Sequence, residues 1–397
     1  MTQDPAVFLA EFQKNAETWT RIREQLHRYP ELSFQEEKTA AFLSDMLTKW
    51  GIEHQTKVGG HGIVAILNGT APGPCIGLRA DMDALPIQTA LKTPYASQHN
   101  GCMHACGHDV HMTSLLAAIH WLHQHRDLWK GSVKAIFQPG EEKLPGGATY
   151  MIEAGVLQEH PRPEWMMALH VAPDLPIGHF GFRSGPYMAS TDELYFTLKG
   201  TGGHAALPHL LTDPIMAAAR LILQLQDIPA RFAPPDVPTR LSIGRIDAPG
   251  ATNVIPAEVK LSGTFRTFDE TWRAKAHQHI KDLAKSIGDQ HGLTIDAEIV
   301  SGYPSLKNDP KWTEQVREKA IHLVGQNAVH DLPIRMTAED FAWYGTQVPI
   351  VFFRLGTSNQ KPETRFSVHH PSFDVDPASP CYGGAILSWQ ILHFLKK

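Results

Sequence analysis

The sequence predicts an α/β protein with a central mixed sheet and a smaller α+β domain inserted into it. In the first half of the chain, short apolar segments that end in polar loops alternate with helical periodicity, which is typical of a sheet layered with helices. After about residue 186 the order changes to strand, helix, two strands, helix and strand. We therefore expect a larger domain of residues 1–186 and 302–397 and an insertion of residues 187–301.

The composition is that of an ordinary globular chain without a strong electric field. Its 397 residues suffice for two domains, and 42% of them are hydrophobic while 19% are charged. A net charge of −5 does not favour nucleic acid as a partner, and no apolar segment is long enough to cross a membrane. Four cysteines and no recognisable secretory signal lead us to expect a cytoplasmic protein.

The N-terminal region is predicted to be helical. Apolar residues at helical spacing predict one helix over residues 7–29, which ends before Pro30. Ser33 and Glu36 have the spacing of a capping box, so a second helix is expected to begin there and to continue to about Trp50.

Apolar segments bounded by glycine and proline predict neighbouring core strands in the larger domain. These segments are residues 62–67, 75–80, 132–137 and 165–171. Chemically active side chains lie at three strand ends, namely Asp81 with Asp83, Glu141 with Glu142, and His170. Because ligands collect at the strand ends of an open α/β sheet, we expect these side chains to share a site.

Residues 103–111 place a thiol and several imidazoles just before an apolar helix that is predicted to run to about Gln124. The groups are His104, Cys106, His108 and His111. A helix N-terminus favours a thiolate, and thiolate and imidazole are ligands of zinc and similar metals. Any one of these residues alone is more simply explained as a buried cysteine or a surface histidine, but their concentration predicts a metal site.

The inserted domain is predicted to be a ferredoxin-like βαββαβ sandwich. Its strands are expected at residues 192–199, 240–246, 257–266 and 293–300, with helices at 213–226 and 270–287. Residues 229–238 contain four prolines and are predicted to connect two of these elements. Beyond the insertion we expect a helix over 312–323, a helix opened by Thr337–Asp340, a strand over 349–355 and a final helix over 380–395.

Taken in order, these motifs resemble those of the M20 metallopeptidase family, in particular its aminoacylase-like amidohydrolase branch. That branch includes hippurate hydrolases, N-acetyl-diaminopimelate deacetylases and auxin-conjugate hydrolases. The resemblance spans nearly the whole chain. It is carried by residues 28–34, 79–86, 104–109, 138–142, 202–209, 253–256, 263–266 and 369–371.

The resemblance implies a pair of divalent transition-metal ions, zinc, manganese, cobalt or nickel, in the larger domain. The ligands that it implies are Cys106, His108, Glu142, His170 and His369. His369 is preferred over His370 because the family pattern is His-x-Pro. His104 and His111 are expected to support the site without binding metal.

The implied reaction is hydrolysis of the amide bond of an N-acylated amino acid by metal-bound hydroxide. By resemblance, Glu141 is the general base, which takes a proton from the water and returns it to the leaving nitrogen. Extended backbone would point Glu141 and Glu142 in opposite directions, one to substrate and one to metal. Asp83 matches an aspartate that orients a site group, and Asp81 stands where related branches have a metal-binding histidine.

In the inserted lid or dimerisation domain the resemblance implies three further contacts. His204 would stabilise the oxyanion, often across a dimer interface, while Asn253 and Arg266 would grip the substrate. A surface cation on a strand is the competing interpretation of Arg266. These roles imply domain closure during turnover, a homodimer or higher homo-oligomer, and a small-molecule substrate.

Other functions stay open at this point. The chain could be a dipeptidase or carboxypeptidase on the same fold, or a catalytically inactive protein that binds a metal or ligand. The presence of Glu141 and of all five implied ligands argues against inactivity. A redox enzyme that uses Cys102 and Cys106 is a remote third alternative, because a plain apolar position explains Cys102 more simply.

Overall fold

A computed structural model describes residues 4–396, and the chain divides into two compact units. The first unit comprises Met1–Gly185, Lys307–Pro333 and Asp340–Lys397. The second comprises Pro186–Leu306 and Ile334–Glu339. No helix in the described range combines the length and the hydropathy needed to cross a membrane.

The helices and strands follow one another through both units. The helices are α1 Pro5–Lys14, α2 Ala16–Arg28, α3 Glu37–Lys49, α4 His108–Gln124, α5 Gly147–Glu153, α6 Pro214–Phe232, α7 Glu270–His291, α8 Pro310–Val324 and α9 Ser379–Phe394. The strands are β1 His54–Val58, β2 Gly62–Asn68, β3 Cys75–Asp81, β4 Ser132–Gln138, β5 Trp165–Pro176, β6 Phe180–Phe182, β7 Gly185–Met188, β8 Asp192–Lys199, β9 Gly203–His204, β10 Thr239–Asp247, β11 Val254–Ile255, β12 Glu258–Thr267, β13 Thr294–Ser301, β14 Leu306–Asn308, β15 Val329–Asp331 and β16 Ile350–Ser358.

The first unit is built on an eight-stranded mixed sheet in the order β1-β2-β4-β3-β5-β16-β6-β15. Four neighbouring strands, β4, β3, β5 and β16, run parallel, and their registers pair Asp81 with Gln138 and Arg79 with Ala168. The carboxyl ends of these strands therefore meet at one edge of the sheet. The α/β fold class with a central mixed sheet and an inserted α+β unit is confirmed.

Helix α4 lies in the core of the first unit. Nearly all of its residues are buried, and Leu115, Leu116, Ala118 and Ile119 are completely inaccessible to solvent. A helix that is apolar all round is stable only when it is covered on all sides. This burial fixes the position of the N-terminus of α4, where His108 lies close to His170 of β5.

The single helix predicted over residues 7–29 is wrong, because the chain breaks at Asn15 into α1 and α2. The Asn15 amide bonds to the carbonyl of Phe12, three residues back, which ends the first helix. Both helices still bury their apolar side: Phe8 packs against Trp121 with ring centroids 5.1 Å apart, and Trp19 is also buried.

The capping box predicted for Ser33 and Glu36 is also wrong. Helix α3 begins after Glu36, and neither side chain caps it. The carboxylate of Glu31 does so from outside the helix, accepting hydrogen bonds from the amides of Lys38 at 3.3 Å and Thr39 at 2.8 Å. Ser33 and Glu36 are thereby left available for contacts elsewhere.

The second unit is an antiparallel sheet in the order β10-β12-β8-β13 with helices α6 and α7 packed against it. Its core contains Phe196, Leu221 and Ile280, all almost completely buried. Helix α6 continues through Pro229 to Phe232, so the predicted connector begins too early. Proline is tolerated there because it lies in the last turn and removes one hydrogen bond only.

Candidate metal centre

The thiol and the first imidazole reach the sheet edge through a tight turn before α4. Gly107 has a φ of +81°, and a Cβ atom there would lie 2.6 Å from the side chain of Val171 on β5. Only glycine allows both this conformation and this close approach. Cys106 and His108 are consequently held on either side of a turn that is pressed against β5.

Two further imidazoles come from distant parts of the chain. His170 lies on β5 two residues beyond the last one that pairs with β3, where it is buried and still pairs with Arg354 of β16. It is inside the strand, which continues to Pro176, and not at the strand end as predicted. The loop of His369 is tied to the same turn, because the His369 amide donates to the carbonyl of Ala105 at 2.8 Å.

The side chains expected to bind metal converge around the Cys106 thiol. The Sγ atom of Cys106 lies 3.3 Å from Nε2 of His170 and 3.3 Å from Nε2 of His369. The Oε1 atom of Glu142 lies 3.3 Å from Nε2 of His369 and 3.8 Å from Nε2 of His108.

Five groups among the described residues can hold a cation, and within each group the possible ligand atoms lie within 4.8 Å of one another. Two of them are Asp81 with His108 and His111, and Glu141 with Glu339 and Asp340. The other three each contain at least two of the expected ligands. These three overlapping groups are Cys106 with His108 and His170, Cys106 with Glu142 and His369, and His108 with Glu141 and Glu142. All five residues that were expected to be ligands belong to at least one group, and Cys106 belongs to two.

The state of hydrogen bonding in this cluster suits a bound cation. Within residues 4–396, the buried Nδ1 and Nε2 atoms of His108 and the Oε1 atom of Glu142 have no hydrogen-bond partner. Buried polar atoms are nearly always satisfied in native proteins, since desolvation without a partner is costly. A divalent ion that accepts sulfur, nitrogen and oxygen ligands, such as zinc, fits this donor set.

His111 has a different environment from His108. Its Nδ1 atom lies 2.6 Å from Oδ1 of Asp81, and its Nε2 atom accepts a hydrogen bond from the amide of Val171 at 3.0 Å. The ring is therefore neutral, with its proton on Nδ1, and both nitrogens are engaged. Burial also lowers the pKa of His111, which agrees with this neutral state.

His104 and His370 lie outside all five groups. His104 is buried, and burial lowers its pKa to about 3. His370 stacks on Phe366 with ring centroids 4.3 Å apart, and its Nδ1 atom accepts from the amide of Ser372 at 3.0 Å.

Asp83 connects several parts of the cluster. Its Oδ2 atom accepts hydrogen bonds from Ser33 Oγ at 2.6 Å and from the Glu142 amide at 2.9 Å. Its Oδ1 atom lies 3.3 Å from Nδ1 of His108. Burial disfavours the Asp83 carboxylate, but the nearby His108 imidazole outweighs it and lowers the Asp83 pKa.

The protonation of the ligands opposes cation binding at low pH. Burial lowers the pKa of His108, but the negative charges of Asp81 and Asp83 outweigh burial and raise that pKa to about 10. Burial and the charge of Glu142 hold the pKa of the Cys106 thiol well above its ordinary value. A cation that binds these groups must displace their protons, so its affinity rises with pH.

Glu141 and Glu142 lie in a turn, so the extended backbone expected between them is wrong. Gly140, with a φ of +65°, turns the chain directly before them. Glu141 is 7% exposed, and its Oε1 atom accepts weakly from the amide of Asp340 at 3.5 Å. Both carboxylates consequently lie close to the His108 imidazole, and Glu142 is also close to His369.

Sequence reasoning missed the residue that anchors this region from behind, Asp340. Its carboxylate accepts from the Arg79 guanidinium at 2.6 Å, from Gln138 Nε2 at 2.7 Å and from the Ala148 amide at 3.0 Å. Residues 337–340 were expected to open a helix, but only a short 3₁₀ segment, Asp340–Thr346, is present. A charged Arg79 inside a buried strand could have indicated the network, because a buried charge needs a partner.

The second unit contains the three residues expected to contact the substrate. His204 is exposed, and its Nδ1 atom accepts from the Ala206 amide at 3.1 Å. Asn253 lies beside it, since the Asn253 carbonyl accepts from the Ala205 amide at 3.0 Å. Arg266 lies apart on β12, where its guanidinium donates to the carbonyl of Met336 at 3.0 Å and burial lowers its pKa.

A buried thiol, imidazoles and carboxylates at the open edge of a parallel sheet define a metal-binding α/β enzyme. The chain belongs to peptidase family M20/M25/M40, whose pattern matches residues 77–382. It is a hydrolase that acts on C–N bonds, of the amidohydrolase kind.

Several similar proteins have more specific names. An N-acetyl-L-cysteine deacetylase of Bacillus subtilis is 39% identical over 89% of this chain and 83% of its own length. A thermostable carboxypeptidase 1 of Saccharolobus solfataricus is 35% identical over 91% of this chain and 92% of its own length. The solved structure of a dinuclear metal-binding peptidase of the M20 family from Bacillus subtilis has a TM-score of 0.82 and 32% identity, over 96% of this chain and 99% of that one.

Proposed function

We propose that this protein hydrolyses the amide bond of N-acylated amino acids with the help of two divalent cations. The cations would be held by Cys106, His108, Glu142, His170 and His369. The observation that carries the proposal is the convergence of these five side chains in overlapping groups that include Glu141. The deacetylase activity in the name of one relative supports the same substrate class.

The cluster suits two cations better than one. Cys106 is common to one group with His108 and His170 and to another with Glu142 and His369. A thiolate has the charge and polarisability to be shared between two borderline metal ions. When bound, such ions supply Lewis acidity, which polarises a carbonyl and acidifies water.

Glu141 is the general base in this proposal. It is buried beside His108 and Glu142, yet it is not required to complete either of the two groups that contain Cys106. A carboxylate in that place can accept a proton from water and then donate it to the nitrogen of the leaving amino acid. Asp83 holds the Glu142 backbone and faces His108, which keeps both ligands oriented.

In the second unit we propose substrate-binding roles for Asn253 and Arg266 and an oxyanion-stabilising role for His204. An N-acyl amino acid carries a carboxylate next to the amide that is cleaved, and a guanidinium is well suited to such a group. The exposed imidazole of His204 keeps its Nε2 atom available for an oxyanion, because its Nδ1 atom accepts from Ala206.

A carboxypeptidase is the second candidate, because one relative carries that name at 35% identity. Its substrates share the carboxylate and the amide with acylated amino acids. They differ on the acyl side, where a peptide carries another amino acid in place of a simple acyl group. The two candidates therefore use the same metal and base residues and separate only by substrate preference.

The deciding experiment is a hydrolysis screen on protein that has been stripped with a chelator and reloaded with zinc, manganese, cobalt or nickel. The substrates are N-acetyl and N-benzoyl amino acids in one set, and dipeptides and N-blocked dipeptides in the other. We expect no turnover after chelation and restored cleavage of the acylated amino acids with two metal equivalents. Turnover that survives complete chelation would refute the proposal, and exclusive cleavage of the peptides would establish the second candidate.

We also propose that the protein is a homodimer that forms through the second unit. Met216 and Leu223 are seven residues apart on α6 and are 58% and 72% exposed, and Ile246 on the edge strand β10 is 60% exposed. Large apolar side chains that are exposed on a helix and on an edge strand are typical of association surfaces. Light scattering should give a molecular mass of twice that of the chain, and Leu223→Glu should reduce this mass to that of a single chain.

The cytoplasm is the proposed location. In the part of the chain that the structure describes, Cys75, Cys102, Cys106 and Cys381 are all free and buried. Free cysteines are retained most readily in a reducing compartment.

A further inference from the structure

Residues 31–36 overlap the motif of residues 28–34, which has no role in the proposed reaction. This segment contacts the loop that follows β3 and the turn that follows β4. Leu32 forms a parallel bridge with Ala84, which follows Asp83, and the Glu31 carbonyl accepts from the Ala84 amide at 2.8 Å. The segment is thereby anchored beside the end of β3.

The side chains of this segment continue the contact. Ser33 Oγ donates to Asp83 Oδ2 at 2.6 Å, the same oxygen that accepts the Glu142 amide. The ring of Phe34 covers Gly140 so closely that a Cβ atom on this glycine would lie 2.3 Å from it. The segment therefore touches both the aspartate behind the cluster and the turn that carries the two glutamates.

Glu36 makes the most direct connection to that turn. It is completely buried, and its Oε1 atom accepts from the Phe34 amide at 2.9 Å and from the Gly140 amide at 2.8 Å. Its Oε2 atom has no hydrogen-bond partner within the described chain. Burying a carboxylate costs free energy. Glu36 accepts hydrogen bonds from two backbone amides beside the metal centre, which indicates a role beyond stabilising the fold.

We propose that Glu36 is a positioning residue of the hydrolytic site, which holds the 139–142 turn so that Glu141 and Glu142 face the cations. Ser33 assists by fixing Asp83 from the same segment. This inference rests on the proposed function, because it assigns Glu36 to the reaction that Glu141 would perform. The Gly140 amide is one residue from that base and two from the ligand, so a small shift of the turn moves both carboxylates.

The test compares Glu36→Ala, which removes the acceptor, with Glu36→Gln, which keeps an oxygen for both amides. Glu37→Ala is the matched control, because Glu37 is the exposed neighbour at the start of α3. Each protein is loaded with cobalt, and we record the visible and thiolate charge-transfer absorption, the cobalt affinity, and kcat and KM. These spectra report the ligand geometry without any substrate.

We expect Glu36→Ala to lower kcat or cobalt affinity by about 10- to 100-fold and to alter the cobalt spectrum, with KM little changed. Glu36→Gln and Glu37→Ala should keep the spectrum and kcat of the wild type. A folded Glu36→Ala protein with an unchanged spectrum and kcat would overturn the inference, as would a Glu36→Gln protein that is impaired equally.

Ser33 provides a second arm if Glu36→Ala does not fold. Ser33→Ala removes one hydroxyl from a partly exposed side chain, and we expect a smaller loss in the same direction, which Ser33→Thr restores. Unchanged cobalt binding and kcat in Ser33→Ala would overturn its part of the inference. Should the wild type cleave no acylated amino acid, the proposed function fails, while the cobalt spectra of the variants still decide the role of Glu36.

Discussion

Two clusters of buried charged groups in this chain have similar composition and opposite states of hydrogen bonding. In the second unit, Asp192 accepts from Arg273 Nε at 3.0 Å, from His277 Nε2 at 2.6 Å and from the Gly302 amide at 3.3 Å. In the first unit, His108 is completely buried and the Glu142 side chain is 13% exposed, but both retain polar atoms with no hydrogen-bond partner in residues 4–396.

This difference in hydrogen bonding distinguishes a structural cluster, which stabilises the fold, from a functional one, which is available to bind a ligand. Both contain histidine and a carboxylate, so composition does not distinguish them. The Asp192 cluster compensates its buried charge with its own donors, and it needs nothing from outside. The cluster at the sheet edge leaves polar atoms of His108 and Glu142 without hydrogen bonds among the described residues, and in the proposed function a bound cation completes it.

The largest expected effect lies in the functional cluster and separates its two adjacent glutamates. Glu141→Gln should lower kcat by about 10²- to 10⁴-fold, the usual contribution of a general base, while cation content and the unfolding midpoint stay as in the wild type. Steady-state kinetics and metal analysis on the same preparation measure this.

Glu142→Gln is the matched control for that prediction, because it changes the neighbouring carboxylate in the same way. It should lose cation affinity as well as activity, since Glu142 Oε1 faces His369 and His108. A Glu141→Gln protein that keeps both its cations and the kcat of the wild type would refute the proposed mechanism.

The next effect concerns the structural cluster and should appear in stability alone. Asp192→Asn removes the negative charge from a completely buried carboxylate and leaves Arg273 with Glu270 as its remaining acidic partner. We expect a loss of about 3 kcal/mol in the free energy of unfolding, equal with and without cations. Denaturant titration measures it, and Asp289→Asn, in an exposed pair with Lys285, should leave the midpoint unchanged.

The same cluster has a defined pH dependence. Burial would raise the pKa of Asp192, but hydrogen bonds from His277 and Arg273 outweigh it and hold that pKa below its ordinary value. Its stabilising contribution is therefore complete above the ordinary carboxyl pKa and is lost as the pH falls through the lower, folded value. Wild type and Asp192→Asn should thus converge in stability in acid, and a constant difference between them would contradict this account.

Local patterns were enough to predict the fold class and part of the candidate metal centre. Each core strand is a continuous apolar segment, and Cys106 and His108 are separated by one residue at a helix start, so short-range rules apply to both. His369, which lies 263 residues from Cys106, was reached only through the family resemblance. No spacing rule connects two positions so far apart.

The errors have one physical source, the competition between local and long-range partners. Ser33 and Glu36 satisfy the local capping pattern, but Glu31 caps α3 and leaves them to Asp83 and Gly140. Asp340 likewise satisfies a local helix-start pattern while its carboxylate is bound by Arg79, 261 residues away. A polar side chain takes whichever partner the folded chain brings to it, and the sequence lists only the nearby ones.

The smallest of these effects is expected at Asp83, whose two oxygens differ in the same way as the two clusters. Its Oδ2 atom is satisfied by Ser33 and the Glu142 amide, while its Oδ1 atom faces His108 and has no hydrogen-bond partner in the described residues. Asp83→Asn keeps an acceptor for the first pair of donors but turns an amide group toward the His108 ring. We expect cation affinity to fall by about 10- to 100-fold, measured by calorimetric titration with zinc. Asp296→Asn, the same change at an exposed strand position, is the control and should bind zinc like the wild type. If Asp83→Asn also binds zinc normally, then His108 is oriented by its place on α4 alone, and the unsatisfied oxygen of Asp83 has no part in completing the metal centre.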